Sequence, residues 1–268
     1  MGTPATPSDP ARRTLMTPGG PVAYTDEGDP RSGRVFVLLH GLPGSARDWR
    51  WLAPPLSRGA RVIRLEQPGF GGTSLQTQPD PDLEVRARWV DEALEALGVT
   101  DCVLVGHSMG GALAMVVAAR APQRLSGLAL LASVGLRPHV SMRRRRPSPA
   151  LGRWLGFAPL RLALRPSLRR GFARAGFSAE LPYSSLVHTL RILASFSFAS
   201  LRRSALTITA PTFLAWAEDD PFIEPVIGMA LATELPDGPR LTFASGGHNI
   251  QKSRALELSE ALLSFAAR

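Results

Sequence analysis

The run Cys102-Val103-Leu104-Val105 is apolar at every position and leads directly into Gly106-His107-Ser108-Met109-Gly110. A short strand without a polar position is covered on both faces. Behind the turn, Gly111-Ala112-Leu113-Ala114-Met115-Val116-Val117-Ala118-Ala119 reads as a helix of small and apolar residues. Strand, tight turn and helix in immediate succession restrict the chain to architectures in which helices cover a sheet. Gly106 and Gly110 lack side chains, so backbone and ligand can approach closely on either side of Ser108. Gly-x-Ser-x-Gly between a buried strand and a helix is a nucleophile elbow. It nominates the Ser108 hydroxyl oxygen as the reactive atom.

The flanking sequence repeats the rhythm. Leu15 to Thr17 and Val22 to Thr25 read as short antiparallel strands around Pro18-Gly19-Gly20-Pro21. Val35-Phe36-Val37-Leu38-Leu39 is a central strand and Arg61-Val62-Ile63-Arg64-Leu65 another. Ala46 to Leu56 is expected as one short helix that Pro54-Pro55 should end or distort. Leu83, Ala87, Val90, Leu94 and Leu97 recur at helical spacing, with Gly98 as the stop. Pro122 closes the helix behind Ser108, and Leu128 to Leu131 is the next strand. From Gly135 to about Ala205 the alternation fails: six prolines separate short helical stretches and no strand pattern appears. It resumes with Thr212 to Trp216, a helix near Val226 to Leu235, a strand at Leu241 to Ala244, and a closing helix with Ala255, Leu258, Leu262 and Phe265 on one face. The expected fold is therefore α/β, a mostly parallel, doubly wound sheet of about eight strands. Residues 1–134 and 206–268 form its core, and 135–205 are a helical lid insertion.

The 268 residues suit one such domain with an insertion, and 44% apolar content is enough for a packed core. Cys102, the only cysteine, is read as a core residue. No apolar run is long enough to span a membrane, and the start has no apolar core of signal-peptide length, so a cytoplasmic location is the default expectation. Met1-Gly2-Thr3-Pro4-Ala5-Thr6 loosely fits a myristoylation string but is read as a flexible tail. The net charge of +9 is unevenly spread: from Cys102 through Ala179 there are thirteen arginines and no Asp or Glu. Outside that stretch eighteen basic residues face 22 acidic ones, so the basic character is local.

A serine hydroxyl needs a base, and the base an orienting acid. Ser245-Gly246-Gly247-His248 follows the last strand, and its glycines suit a loop that aims the imidazole back over the sheet edge. The strand ending at Trp216 runs into Ala217-Glu218-Asp219-Asp220-Pro221, an acidic cluster at the strand end where ligands bind in such sheets. With this order of Ser, acid and His, the chain resembles the α/β-hydrolase family. His40-Gly41-Leu42-Pro43-Gly44-Ser45 looks like the family's oxyanion loop, and Gln67-Pro68-Gly69-Phe70-Gly71 resembles its Pro-Gly-Phe-Gly turn. The resemblance runs from about Leu15 to Phe265, the insertion excepted.

The resemblance implies Ser108 as nucleophile, His248 as base and Asp220 as orienting acid, with Asp219 as the alternative because Ala217 replaces the family's glycine. It implies backbone amides of Leu42 and Met109 as the oxyanion hole; Pro43 has no amide hydrogen. No metal and no cofactor are expected. An acid just beyond the serine helix, the family's other arrangement, is excluded because Ser133-Val134-Gly135 has no carboxylate. The expected activity is hydrolysis of a carboxylic ester or related acyl bond in a small-molecule substrate with an apolar part. Acyltransferase, C–C hydrolase and perhydrolase chemistry share these motifs, and a small-ligand receptor is the non-enzymatic alternative. The insertion's apolar residues are read as the acyl pocket and its arginines first as a solvated face. Anionic substrates or peripheral contact with an anionic membrane are the alternative for the arginines. Nucleic acid is not expected at Arg143-Arg144-Arg145-Arg146, which has no aromatic stacking platform. Oligomeric state is left open.

Overall fold

The computed structural model describes residues 9–145, 147–155 and 157–267. Arg146, in the arginine run, and the string Met1 to Thr6 lie outside them. Eight strands form one sheet: β1 (Arg13–Thr17), β2 (Gly20–Glu27), β3 (Val35–Leu39), β4 (Arg61–Leu65), β5 (Cys102–His107), β6 (Leu125–Leu131), β7 (Thr212–Ala217) and β8 (Arg240–Phe243). Their spatial order is β1-β2-β4-β3-β5-β6-β7-β8. β1 pairs with β2, and β2 with β4, antiparallel; every other pair is parallel.

The helices are α1 (Ala53–Leu56), α2 (Leu83–Ala96), α3 (Met109–Arg120), α4 (Val140–Arg145), α5 (Pro149–Trp154), α6 (Ala158–Ala163), α7 (Arg165–Arg174), α8 (Tyr183–Ser195), α9 (Phe198–Ala205), α10 (Pro225–Glu234), α11 (Ile250–Ser253) and α12 (Ala255–Phe265). Among the described residues none is long and apolar enough to cross a membrane.

The continuous apolar strands are explained by which side each residue faces. Successive side chains point to opposite faces. Val37, Leu39, Leu104 and Leu128 join one buried cluster with α2 and α3, while Phe36, Leu38, Val105 and Ala129 join a second with α1 and α12. Both faces are covered, so neither parity tolerates a polar residue. Cys102 is buried in the first cluster, and that burial pushes its thiol up to about 12. In α2, the Asp82 carboxylate caps the start by accepting the Glu84 and Val85 amides at 2.9 and 3.1 Å. α3 is buried from Met109 through Ala118, which is why it is built of small residues.

Two local outcomes differ from the sequence pattern. Ala46 to Leu56 forms a single-turn 3-10 segment at Ala46–Trp49 and then α1, not one helix. Pro54 and Pro55 lie in the first turn of α1, where a missing amide hydrogen costs no helical bond, so they open a helix. β1 and β2 are also longer than the alternation suggested, because β2 continues along β4 to Glu27.

Between β6 and β7 the described residues hold only helices, α4 to α9. Ile192, Phe196, Leu201 and Ala205 join the cluster beneath α3. α6 and α7 have no buried residue.

Candidate active site

β5 delivers Ser108 to the carboxyl edge of the sheet, and the turn there is strained. Ser108 has φ 55° and ψ −123°, a left-handed conformation that a side chain disfavours. Three backbone bonds hold it: its N–H donates to the Leu131 carbonyl at 3.2 Å, and its own carbonyl accepts from Gly111 and Val134 at 3.0 and 3.2 Å. A Cβ on Gly106 would lie 2.4 Å from the Gly110 carbonyl oxygen, and one on Gly110 would lie 2.2 Å from the Leu39 carbonyl oxygen. The two glycines are therefore required by backbone packing against backbone.

His248 arrives on the loop after β8 and Asp220 on the loop after β7. The Ser108 hydroxyl and His248 Nε2 are 2.9 Å apart, and His248 Nδ1 donates to Asp220 Oδ2 at 2.8 Å. Asp220 Oδ1 accepts from the Phe222 and Ile223 amides at 2.8 and 3.0 Å. Burial works to raise the Asp220 carboxyl. The hydrogen bond and charge of His248, with those two amides, outweigh burial and hold it below the usual carboxylate value.

Asp219 is turned elsewhere. Its Oδ1 accepts from the Gly246 and Gly247 amides at 2.9 and 2.7 Å, gripping the loop that carries His248. Gly247, at φ 62°, supplies the left-handed turn. The adjacent carboxylates thus divide the work: Asp220 meets the imidazole and Asp219 the backbone beneath it.

Two further histidines shape the site. His107 Nε2 donates to the His248 carbonyl oxygen at 2.8 Å. Burial, and then the proximity of His248, push its ring down to about 3, so it remains a neutral donor. His40 accepts the Gln67 amide on Nε2 at 3.1 Å, which leaves its proton on Nδ1, and Nδ1 donates to the Gly41 carbonyl at 2.8 Å. Gln67 also donates to the His40 carbonyl, and buried Arg86 donates to the Gln67 side-chain oxygen. Burial lowers the Arg86 guanidinium to about 10.

The Gly41 carbonyl and the Leu42 N–H share one trans peptide plane and point in opposite directions. Fixing the carbonyl with His40 therefore aims the Leu42 amide. Among the described residues neither the Leu42 nor the Met109 amide donates to a protein acceptor. Met109 opens α3, where no carbonyl precedes it in the helix. Both residues line, with Ser108 and His248, a cavity of about 780 Å³. Its far wall comes from the helices after β6, including Met142, Leu168, Phe172 and Leu193.

The sequence placed Ser108, Asp220, His248, Leu42 and Met109 at this site; the fold brings four of them to the lining of one cavity and Asp220 into hydrogen-bond contact with one of the four, His248. The supporting contacts of Asp219, His107, His40 and Arg86 were not legible. Each depends on a residue brought near from a distant part of the chain or on a local loop geometry. The arrangement can take a proton from a hydroxyl, hold the resulting imidazolium beside a carboxylate, and place two amide donors near an oxygen that gains charge.

Comparison with known proteins agrees with this fold. A family model described as the alpha/beta hydrolase fold matches residues 34–160. The dihydrolipoyllysine-residue acetyltransferase component of an acetoin cleaving system from Pseudomonas putida is 29% identical over 251 residues, covering 87% of this chain. The chain spans only 63% of that relative's length. A 2-hydroxy-6-oxo-6-phenylhexa-2,4-dienoate hydrolase from Comamonas testosteroni is 28% identical over 269 residues, covering 91% of this chain and 90% of the relative. The crystal structure of the enol-lactonase from Burkholderia xenovorans LB400 superposes with a TM-score of 0.74 at 19% identity, covering 96% of this chain and all of that one, and so shares its fold.

Proposed function

Because the chain belongs to the α/β-hydrolase superfamily, we propose that it is a serine hydrolase cleaving a carboxylic ester or related acyl bond. The observation that carries this reading is the unbroken hydrogen-bonded chain from Ser108 through His248 to Asp220.

In this mechanism His248 Nε2 takes the Ser108 proton as the hydroxyl oxygen bonds to the substrate's acyl carbon. The carbonyl electron pair moves onto oxygen, where the Leu42 and Met109 amides receive it; each such donor contributes about 3 kcal/mol. Asp220 keeps His248 in the tautomer that accepts on Nε2 and stabilises the imidazolium. The tetrahedral intermediate collapses, the bond to the leaving alkoxide breaks, and His248 gives it the proton. Water attacks the acyl-serine, His248 takes the water proton, and collapse returns the proton to Ser108 and releases the acid. No cofactor enters these steps.

The helices of 135–205 act as a lid, and Met142, Leu168, Phe172 and Leu193 favour the apolar part of the substrate. Transfer of the acyl group to an acceptor other than water is the second reading. It uses the same acyl-enzyme and is favoured by the similarity to an acetyltransferase component.

The test is turnover of p-nitrophenyl esters of increasing chain length by wild type and Ser108→Ala. The expected outcome is a burst of p-nitrophenol in wild type only and a chain-length optimum. Equal slow rates in the two proteins would refute the nucleophile assignment on this substrate class. An added alcohol that diverts product from acid to ester would favour transfer.

A further inference from the structure

We infer that the segment from Arg153 to Arg174 is a docking surface for an anionic lipid bilayer. It contains six arginines (Arg153, Arg161, Arg165, Arg169, Arg170 and Arg174) and no acidic residue. Among the described residues none of the six has a carboxylate partner, whereas Arg120, Arg124 and Arg143 in the same acid-free stretch are ion-paired. Arg169 and Arg170 reach only carbonyl oxygens, of Ala179 and Pro166, and Arg165 lies over the Tyr183 ring. Their charge is left uncompensated at the surface.

Large apolar side chains stand exposed among them: Trp154 at 60%, Phe157 at 56% and Leu162 at 67%. Cationic residues interspersed with Trp, Phe and Leu match a headgroup boundary, where phosphates meet the arginines and acyl chains receive the apolar groups. A nucleic acid would satisfy the charges but would leave the aliphatic Leu162 in water, so the bilayer is the favoured occupant.

α7 gives this surface a direction. At 100° per residue, Ser167, Leu168, Gly171, Phe172 and Ala175 fall on one half of the helix and line the cavity. Arg165, Arg169, Arg170 and Arg174 fall on the other half. One thin helix therefore has the cavity on one side and the cationic face on the other. The inference stands on exposure and charge, and does not depend on the acyl-enzyme reading.

The experiment mixes the full chain with vesicles of phosphatidylcholine, alone or doped with phosphatidylglycerol, and follows sedimentation and tryptophan emission. Binding is expected only to the doped vesicles, at low salt, with release as salt is added. Replacing Arg161, Arg165, Arg170 and Arg174 together by Gln is expected to weaken partitioning by about fivefold per residue. The same change at Arg31 and Arg34, exposed on the opposite part of the sequence, is expected to leave it intact. A blue shift on binding is expected to vanish in Trp154→Phe. Three results would overturn the inference: no binding to doped vesicles at low salt, equal losses from both arginine sets, or tighter capture of duplex DNA than of vesicles. Turnover of a soluble ester and circular dichroism serve as fold controls, since none of the substituted residues lies in the Ser108 machinery.

Discussion

At the scale of single residues, the neighbours Asp219 and Asp220 show how one position changes a role. Both are carboxylates on one loop, yet only Asp220 reaches His248. Asp220→Asn is expected to lower kcat by about 10⁴-fold, because the amide favours the wrong imidazole tautomer. Asp219→Asn should cost about tenfold, since the loop keeps an acceptor of weaker charge. Steady-state kinetics on one ester separates the two. His188 offers a stability counterpart. It is buried, neither ring nitrogen has a hydrogen-bond partner among the described residues, and burial, then the charges of Arg86 and Arg191, push it down to about 3. A base with a depressed folded pKa favours the folded state above its unfolded pKa, and that advantage is lost as pH falls from about 6.5 towards 3. Lowering pH from 7 to 5 should therefore cost about 2 kcal/mol through this group. His188→Leu should remove that loss and raise stability at pH 7 by about 1 kcal/mol. Urea unfolding at the two pH values would show it, and an unchanged pH dependence would sink the assignment.

Among elements, the elbow and the loop after β3 are coupled by close backbone contact. Gly110→Ala would drive a methyl into the Leu39 carbonyl and is expected to cost about 3 kcal/mol, read from denaturant unfolding. The loop after β3 is aimed by a ring. His40→Phe keeps the ring volume but removes the Nδ1–H bond to the Gly41 carbonyl, freeing the Leu42 peptide to rotate. The expected result is a kcat about tenfold lower with KM unchanged, and weaker inhibition by a phosphonate that mimics the tetrahedral intermediate. A change confined to KM would show that the ring serves binding instead. The strands and long helices were legible in the sequence because their signal is local: Phe36 and Val37 face opposite clusters, and both clusters demand apolar side chains. The split of Ala46 to Leu56 was less legible, since Pro54-Pro55 can end one helix or open another and only the packing of Leu52 and Leu56 decides.

For the whole molecule, uneven burial sets what moves first. The sheet is covered on both sides, whereas α6 and α7 have no buried residue. Segments with few buried contacts open at low free energy. Brief trypsin treatment should therefore cut first after arginines between 161 and 174, leaving the pieces associated, and mass spectrometry of the first fragments would check this. A first cut within the sheet would contradict it.

The sequence by itself determined the alternation of strands and helices, and it nominated the Ser108 hydroxyl and the His248 imidazole as a pair. These rest on local rules: period, glycine sterics at Ser108, and the chain order of Ser, acid and His. Tertiary structure brought Asp220, the acid the sequence favoured over Asp219, to the imidazole, and it alone decided which ring aims the Leu42 amide and where the arginines of α7 point. Those outcomes depend on residues apart in the chain, such as Asp220 and His248, separated by 28 positions, and His40 and Gln67, separated by 27. No local pattern encodes such distances, because they are set by how loops leave adjacent strands at one edge of the sheet.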